Sequence, residues 1–120
     1  MGKIERFEDI LAWQKARVLV NNIYNVTLKT PFARDYNLKD QIIRASFSIM
    51  LNIAEGFGRR SNKEFTHYLE IAHGSCSEIQ SALYIAIDRK YINDSDFKTF
   101  YDECDEISKM IMGLIKYLKD

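Results

Sequence analysis

The sequence predicts an all-α fold, an antiparallel up-down-up-down four-helix bundle that forms one domain over residues 1–120. Apolar residues recur at three- and four-residue spacing in four separate stretches, as they do on the buried face of a helix. Helix breakers are scarce, with one proline and five glycines in 120 residues, so long helices are easily sustained. The predicted connections of roughly 9, 5 and 5 residues favour antiparallel neighbours, because short links leave consecutive helices little choice.

The first two predicted helices span residues 8–28 and 38–56, and the segment between them contains Pro31. The apolar stripe of the first helix consists of Trp13, Ala16, Val20, Ile23 and Tyr24. The stripe of the second helix alternates four- and three-residue spacing, as in a coiled-coil seam, and consists of Leu38, Ile42, Ala45, Ile49, Asn52 and Gly56.

The last two predicted helices span residues 62–89 and 96–118. Ser61 and Glu64 have the spacing of a capping box, which places the start of the third helix at Asn62. The stripe of this helix consists of Phe65, Leu69, Ala72, Cys76, Ile79, Leu83 and Ala86. Three residues offer an N-cap for the fourth helix, namely Asn93, Asp94 and Ser95. Its stripe consists of Phe97, Phe100, Cys104, Ile107, Ile111, Leu114 and Leu118.

The bulk composition limits the function classes. Seventeen Lys and Arg residues balance seventeen Asp and Glu residues, so the molecule lacks the overall positive field of a basic nucleic-acid binder. The start of the chain has no signal-peptide pattern, and the longest charge-free run of the second helix is too short to cross a membrane. We therefore expect a soluble cytoplasmic protein without a membrane partner. Cys76 and Cys104 fall on apolar stripes and are expected to be reduced core thiols.

Some apolar residues point away from the predicted core stripes. Ile43, Phe47 and Met50 do so on the second helix, and Leu11 and Val18 do so on the first, one heptad apart. One interpretation is that the second helix is simply the most central one. The other is that these five residues form a homo-oligomer interface, since exposed apolar patches mark association sites.

No residue set has the pattern of an active site. Glu64 with His67 and Glu70 with His73 repeat the Glu-x-x-His spacing of di-iron bundles. Both copies lie on one helix, however, and His67 and Glu70 point outward. The sequence therefore predicts no catalytic residue, metal or cofactor. Gly56 and Gly58 match a phosphate loop only weakly, and they are better explained as glycines whose left-handed backbone ends a helix.

One basic cluster stands out at the turn between the second and third helices. Arg59, Arg60 and Lys63 adjoin a helix N-terminus, where backbone amides favour anions, and Arg44 is a further candidate for the cluster. This is the best candidate for binding RNA or DNA. The alternative is a solvated turn, or an arginine paired with Glu55 or Glu64.

Two amides lie on or beside the seam of the second helix. Asn52 and Gln41 each need a hydrogen-bond partner if they are buried, since an unsatisfied amide costs about 1–3 kcal/mol. A helix-end carbonyl or Glu55 is the expected partner, and the expected role is to fix the register of packing.

The chain resembles the four-helix-bundle proteins encoded in intervening sequences of bacterial 23S ribosomal RNA genes, and more distantly the accessory protein of diversity-generating retroelements. The central match runs from Asn52 through Glu55, Gly56, Gly58, Arg59 and Ser61 to Phe65. Flanking matches are Phe7, Leu11, Trp13, Lys15, Ala16, Leu38, Gln41, Ile42, Arg44, Ala45, Ser48, Ile71, Ala72, Gly74, Ser75 and Glu78. The resemblance implies an antiparallel bundle that assembles into a ring, typically a homopentamer, and it implies no reaction. The retroelement protein binds nucleic acid and is strongly basic, whereas this chain is neutral.

The leading hypothesis is thus a non-enzymatic, homo-oligomeric bundle protein that contacts RNA or DNA through the basic turn. The alternative is a scaffold or assembly factor that binds another protein at the same corner without nucleic acid. A remote third hypothesis is a metal enzyme that uses Glu55 with the histidines and carboxylates of the third helix.

Overall fold

Four long helices make up the bundle in the computed structural model, which describes residues 3–120. They are α1 (Leu11–Thr27), α2 (Tyr36–Phe57), α3 (Asn62–Asp88) and α4 (Asp94–Lys119). Short 3-10 turns at Phe7–Asp9 and Phe32–Arg34 precede α1 and α2, and the described residues contain no strand. The body measures 45 × 22 × 19 Å, and each helix packs against its neighbours in the order α1, α2, α3, α4 and back to α1. The predicted four-helix bundle is confirmed.

Capping side chains explain where the observed helices begin. Asp35 accepts a hydrogen bond from the Leu38 amide at 3.1 Å, so α2 starts two residues before its predicted start. Of the three candidate caps for α4, Asn93 is the one used, and it accepts from the Asp96 amide at 2.7 Å. α1 begins later than predicted because Asp9 accepts from the Glu5 and Arg6 amides and holds a separate turn.

The core follows most of the predicted stripes. Its fully buried large side chains include Leu19, Ile23, Ile42, Ile49, Ile53, Leu69, Ile79, Leu83, Ile107 and Ile111. Trp13 is only half-buried. Tyr24 is 41% exposed, and its ring packs on the Phe47 ring of α2. In the last turns of α4, Ile115 is buried, whereas the predicted Leu114 and Leu118 are half-buried.

Both cysteines are buried free thiols, as the stripes predict. Burial raises the pKa of Cys76 to about 12, and burial also raises the pKa of Cys104. A thiol with so high a pKa is not a nucleophile near neutral pH. The cysteines therefore act as small core residues.

The end of the bundle opposite the α2–α3 turn is closed by contacts between its two connections. The Tyr91 hydroxyl donates to Asp35 at 2.9 Å, and the Tyr91 and Phe32 rings stack with centroids 5.1 Å apart. The Leu38 amide and the Tyr91 hydroxyl together lower the pKa of Asp35. α3 ends in a Schellman motif, in which the Tyr91 amide donates to Ala86 and Lys90 has φ 62°.

The structure contains no helix, among residues 3–120, that is long and apolar enough to cross a lipid bilayer.

A polar network connects α2 to α3 at the middle of their contact. The Asn52 side chain donates to the Ser48 carbonyl at 2.8 Å and to the Ser48 hydroxyl at 3.0 Å. The Ser48 and Ser75 hydroxyls are hydrogen-bonded at 2.7 Å, and Ser75 also donates to the Ile71 carbonyl. The expected partner of Asn52, a helix-end carbonyl or Glu55, is therefore wrong. Gln41 is exposed and has no need of a buried partner.

Replacing Asn52 with alanine should destabilise the bundle, because the substitution removes both bonds to Ser48 at a half-buried site. The expected loss is about 1 kcal/mol, or a fall of roughly 4 °C in melting temperature. The matched control is Asn21→Ala, since exposed Asn21 makes the same contact to a carbonyl four residues earlier. Thermal unfolding followed by circular dichroism measures both variants. Equal melting temperatures would show that the network contributes nothing.

Candidate functional site

The α2–α3 turn lies at one end of the bundle and is fixed by a close approach of the two helices at Gly56. A Cβ atom on Gly56 would lie 2.8 Å from the Tyr68 Cβ and 3.2 Å from the Phe65 carbonyl oxygen. Since real Cβ atoms do not come so close to a neighbouring Cβ atom, only glycine allows this packing. Across the turn, the Phe57 and Phe65 rings meet edge to face with centroids 6.0 Å apart.

The expected left-handed glycine at this turn is wrong. Among the described residues no glycine has positive φ, and Gly58 has φ −77°. The Gly58 amide donates to the Ala54 carbonyl, and the Arg59 amide donates to Gly56, so right-handed geometry continues to the end of α2. The close approach of α3 explains why residue 56 is glycine, whereas a left-handed backbone explains neither Gly56 nor Gly58.

Ser61 starts α3 as predicted. Its hydroxyl accepts from the Glu64 amide at 3.2 Å and lies 3.3 Å from the Glu64 carboxylate. The carboxylate thus bonds to the cap side chain, whereas a complete capping box would use the cap amide. The predicted first residue of the helix, Asn62, is confirmed.

Arg59 is held by its neighbours. Its guanidinium donates to the Tyr68 hydroxyl at 2.7 Å, lies over the Tyr68 ring at 4.9 Å and pairs with Glu55 at 3.0 Å. Glu55 and Tyr68 therefore orient this cation, which agrees with the alternative of an arginine paired with Glu55. Both partners of the ion pair remain about half exposed, so the guanidinium still reaches solvent.

The other predicted basic residues separate into two locations. Arg60 and Lys63 are exposed beside Arg59, at the turn and in the first turn of α3. Arg44 is also exposed, but it lies about 18 Å along the α2 axis from Gly56, given a rise of 1.5 Å per residue. The turn therefore brings together three of the four candidate residues.

An open cleft of about 560 Å³ adjoins the turn, and we refer to it as the turn cleft. Its apolar lining comes from three parts of the chain and consists of Ile4, Phe57, Phe65, Leu114 and Leu118. The charged residues that line it are all cations, namely Lys3, Arg59 and Arg60. Tyr117 also lines the cleft and is 67% exposed.

A second depression continues from the turn cleft, and we refer to it as the side groove. It shares Asn62 and Leu118 with the cleft, and its charged residues, Lys63 and Lys119, are again cations. The Asn62 side chain donates to the Leu118 carbonyl at 3.3 Å, so the start of α3 is joined to the end of α4. Five cations thus line two adjoining depressions that no described carboxylate lines.

Three further residues belong to this site although the sequence did not identify them, namely Lys3, Tyr117 and Lys119. They are brought to the turn by the antiparallel arrangement, which places the chain start and the end of α4 beside residues 57–62. The alternation of Lys116 and Lys119 with apolar residues in the last turns of α4 is a signal for Tyr117 and Lys119, whereas no pattern in the sequence points to Lys3.

The candidate metal ligands do not assemble. Glu64, His67 and Glu70 are exposed on α3, His73 is half-buried, and Glu55 is occupied by Arg59. Within residues 3–120, no group of three or more His, Cys, Asp or Glu side chains is arranged to hold a metal ion.

One carboxylate outside the turn has an unusual environment. The Asn22 side chain donates to Glu103 at 3.2 Å, while the other Glu103 oxygen is buried and has no hydrogen-bond partner among the described residues. Burial raises the pKa of Glu103, with a smaller contribution from nearby Glu106. It faces a small depression between α1 and α4 that also contains Lys15 and Val18.

The five residues predicted as an oligomer interface are divided between α1 and α2. Leu11 and Val18 are each more than half exposed, and Val18 lies on the side that faces α4. Phe47 instead contacts Tyr24 with ring centroids 5.8 Å apart, and Ile43 and Met50 pack partly against the core. In the single chain, Leu11 and Val18 are exposed, whereas Ile43, Phe47 and Met50 are half-buried, and the predicted interface stays a prediction.

Comparisons with known proteins agree with the resemblance seen in the sequence. A family model described as 23S rRNA-intervening sequence protein matches residues 8–113. The chain is also similar to a crystal structure of a protein with unknown function from the S23 ribosomal protein family of Bacteroides thetaiotaomicron. That likeness has a TM-score of 0.81 and 24% identity and covers 88% of this chain and 99% of the other, so it is a likeness of fold. No curated protein matches the chain.

The substitution Gly56→Ala should destabilise the protein, because the added methyl group meets a carbonyl and a Cβ atom that cannot move aside. The expected loss is about 1–3 kcal/mol in the free energy of unfolding. Gly74→Ala is the matched control, since it also replaces a helical glycine but has nothing within 4 Å of the new Cβ, and it should gain up to about 1 kcal/mol. Urea denaturation measures both, and a gain at Gly56 would contradict the close approach.

Proposed function

Because the chain belongs to the 23S rRNA-intervening sequence protein family, we propose that it is a non-enzymatic, homo-oligomeric bundle protein that binds RNA or DNA at the α2–α3 turn. The observation that carries the nucleic-acid part is the all-cation lining of the turn cleft and the side groove. The family description names a ribosomal RNA insertion, so structured RNA is the first ligand to test.

Zero net charge is compatible with this proposal because the charges of α4 are divided between its two halves. The first half of α4 carries six acidic residues and one lysine, and these are Asp94, Asp96, Lys98, Asp102, Glu103, Asp105 and Glu106. The second half carries Lys109, Lys116 and Lys119 and no acidic residue before Asp120. The lysines of the second half lie toward the end that carries the α2–α3 turn and add to the local positive charge there, which attracts a polyanion over about 10 Å at 0.1 M salt.

The phosphate contacts are assigned to the exposed cations. Arg60 and Lys63 are free to point at phosphate oxygens, whereas Arg59 already binds Glu55 and Tyr68. The guanidinium of an arginine donates hydrogen bonds to two phosphate oxygens, whereas a lysine acts as a point charge. Contacts of this kind fix the position of the nucleic-acid backbone and carry no base specificity. Arg59 then contributes mainly by keeping the turn in place.

Assembly of copies into a ring would increase the affinity for a polyanion, because each copy carries the same weak electrostatic site. Each copy adds the same cations, and linked sites gain affinity through effective concentration. Leu11 and Val18 on α1 are the apolar residues we assign to contacts between copies, and the ring of five follows from the family resemblance.

The nucleic-acid proposal predicts that Arg60→Ala with Lys63→Ala weakens binding of a structured RNA and lowers the salt dependence of binding. The slope of log affinity against log salt should fall by about 2 per bound chain, one for each lost phosphate contact. Fluorescence polarisation at several salt concentrations measures this slope.

The control for this experiment is Lys29→Ala with Arg34→Ala, which removes two exposed cations from the opposite end of the bundle. It should leave binding unchanged. If the wild-type protein shows no salt-sensitive binding to RNA or DNA, the nucleic-acid proposal fails and the protein-only scaffold takes its place.

The oligomer proposal predicts a mass of about 70 kDa in solution, five times the 14.1 kDa chain, by size-exclusion chromatography with light scattering. Leu11→Glu with Val18→Glu should reduce that mass, because it places carboxylates in an apolar contact. Leu28→Glu, at an exposed leucine beyond the end of α1, is the control and should leave the mass unchanged. A 14 kDa species for the wild-type chain at micromolar concentration would contradict the proposal.

A further inference from the structure

We infer that the nucleic acid bound at this end of the bundle is single-stranded, with an unpaired base packed on Tyr117 in the turn cleft. This inference rests on the proposed function, and it names the form of nucleic acid that the site takes. Three features carry it: the apolar lining of the cleft, the exposure of Tyr117, and the line of cations that continues into the side groove.

The turn cleft combines apolar and cationic surface in a concave shape. Its volume of about 560 Å³ lies within the range of about 300–1,000 Å³ that is typical of small-molecule sites. Phe57 and Phe65 contribute aromatic surface, and Arg60 and Lys3 contribute charge. An occupant that satisfies both parts needs a flat apolar body attached to an anion, which describes a nucleobase on its sugar and phosphate.

Tyr117 combines high exposure with a position in the turn cleft. It is 67% exposed near the end of α4, yet it lines the cleft together with Arg60. An aromatic side chain beside cations is the arrangement on which single-stranded nucleic acid stacks its bases, with about 1–3 kcal/mol gained per base.

A duplex cannot use these apolar residues. Its base faces are stacked on one another, and a protein that touches only its phosphates gains nothing from an apolar cleft. A single strand exposes base faces and bends freely, so one base can enter the cleft while adjacent phosphates lie on cations.

The side groove gives the strand a path away from the cleft. Lys63 and Lys119 line it, and it meets the cleft at Asn62 and Leu118. The cations of the cleft and the groove therefore follow one another across the end of the bundle.

The experiment compares a 12-nucleotide RNA with the same RNA annealed to its complement, by fluorescence polarisation at low salt. The wild-type protein should bind the single strand at least tenfold more tightly. Tyr117→Ala should weaken single-strand binding by about 5- to 150-fold, which is the free energy of stacking one base converted to a ratio of affinities, and should leave duplex binding unchanged. Tyr117→Phe should retain the wild-type affinity.

Tyr36→Ala is the matched control, because Tyr36 is 69% exposed at the opposite end of the bundle and lies beside Lys39. It should bind as the wild type does. Light scattering on each variant tests whether Tyr117 instead contacts another copy, and a changed mass for Tyr117→Ala would overturn its assignment as a base platform.

The possible outcomes distinguish failure of this inference from failure of the proposed function on which it rests. Equal, salt-sensitive binding of single strand and duplex overturns the inference and leaves the proposed function standing. Full retention of single-strand binding by Tyr117→Ala also overturns the inference. Absence of binding to either form overturns both.

Discussion

The close approach of α2 and α3 at Gly56 is the constraint on which the candidate site depends. A methyl group there would overlap Tyr68 and the Phe65 carbonyl, so the two helices meet at this point only because the residue is glycine. The same approach places Tyr68 under the Arg59 guanidinium and brings Phe65 against Phe57. The geometry of the turn therefore follows from helix packing, and the arginine is oriented as a consequence.

The turn becomes a site because the rest of the bundle brings other segments to it. An antiparallel arrangement of four helices places the chain start, the α2–α3 turn and the end of α4 at the same end. Apolar residues from all three then line the turn cleft, and cations from all three line the turn cleft and the side groove together. A neutral chain can thus carry a local cluster of cations, because the acidic residues of α4 lie toward its other end.

Local sequence was a reliable guide where a helix cap or an apolar stripe decides the structure. The Ser61 cap fixed the start of α3, and the apolar stripes identified four helices and most of the core. The prediction for Gly58 was wrong because a glycine near a helix end is compatible with more than one backbone geometry. The Asn52 partner was missed because Ser48 lies one turn away on the same helix and connects to Ser75 across the interface.

The sequence alone determined the fold class, the family and the basic character of the turn, because periodicity, capping and a run of specific residues are local properties. The tertiary structure decided which cations act together. It holds Arg59 on Glu55 and Tyr68, leaves Arg44 far along α2, and adds Lys3 and Lys119 from the chain ends. Those neighbours are separated by tens of residues, and only helix packing brings them within reach of one ligand.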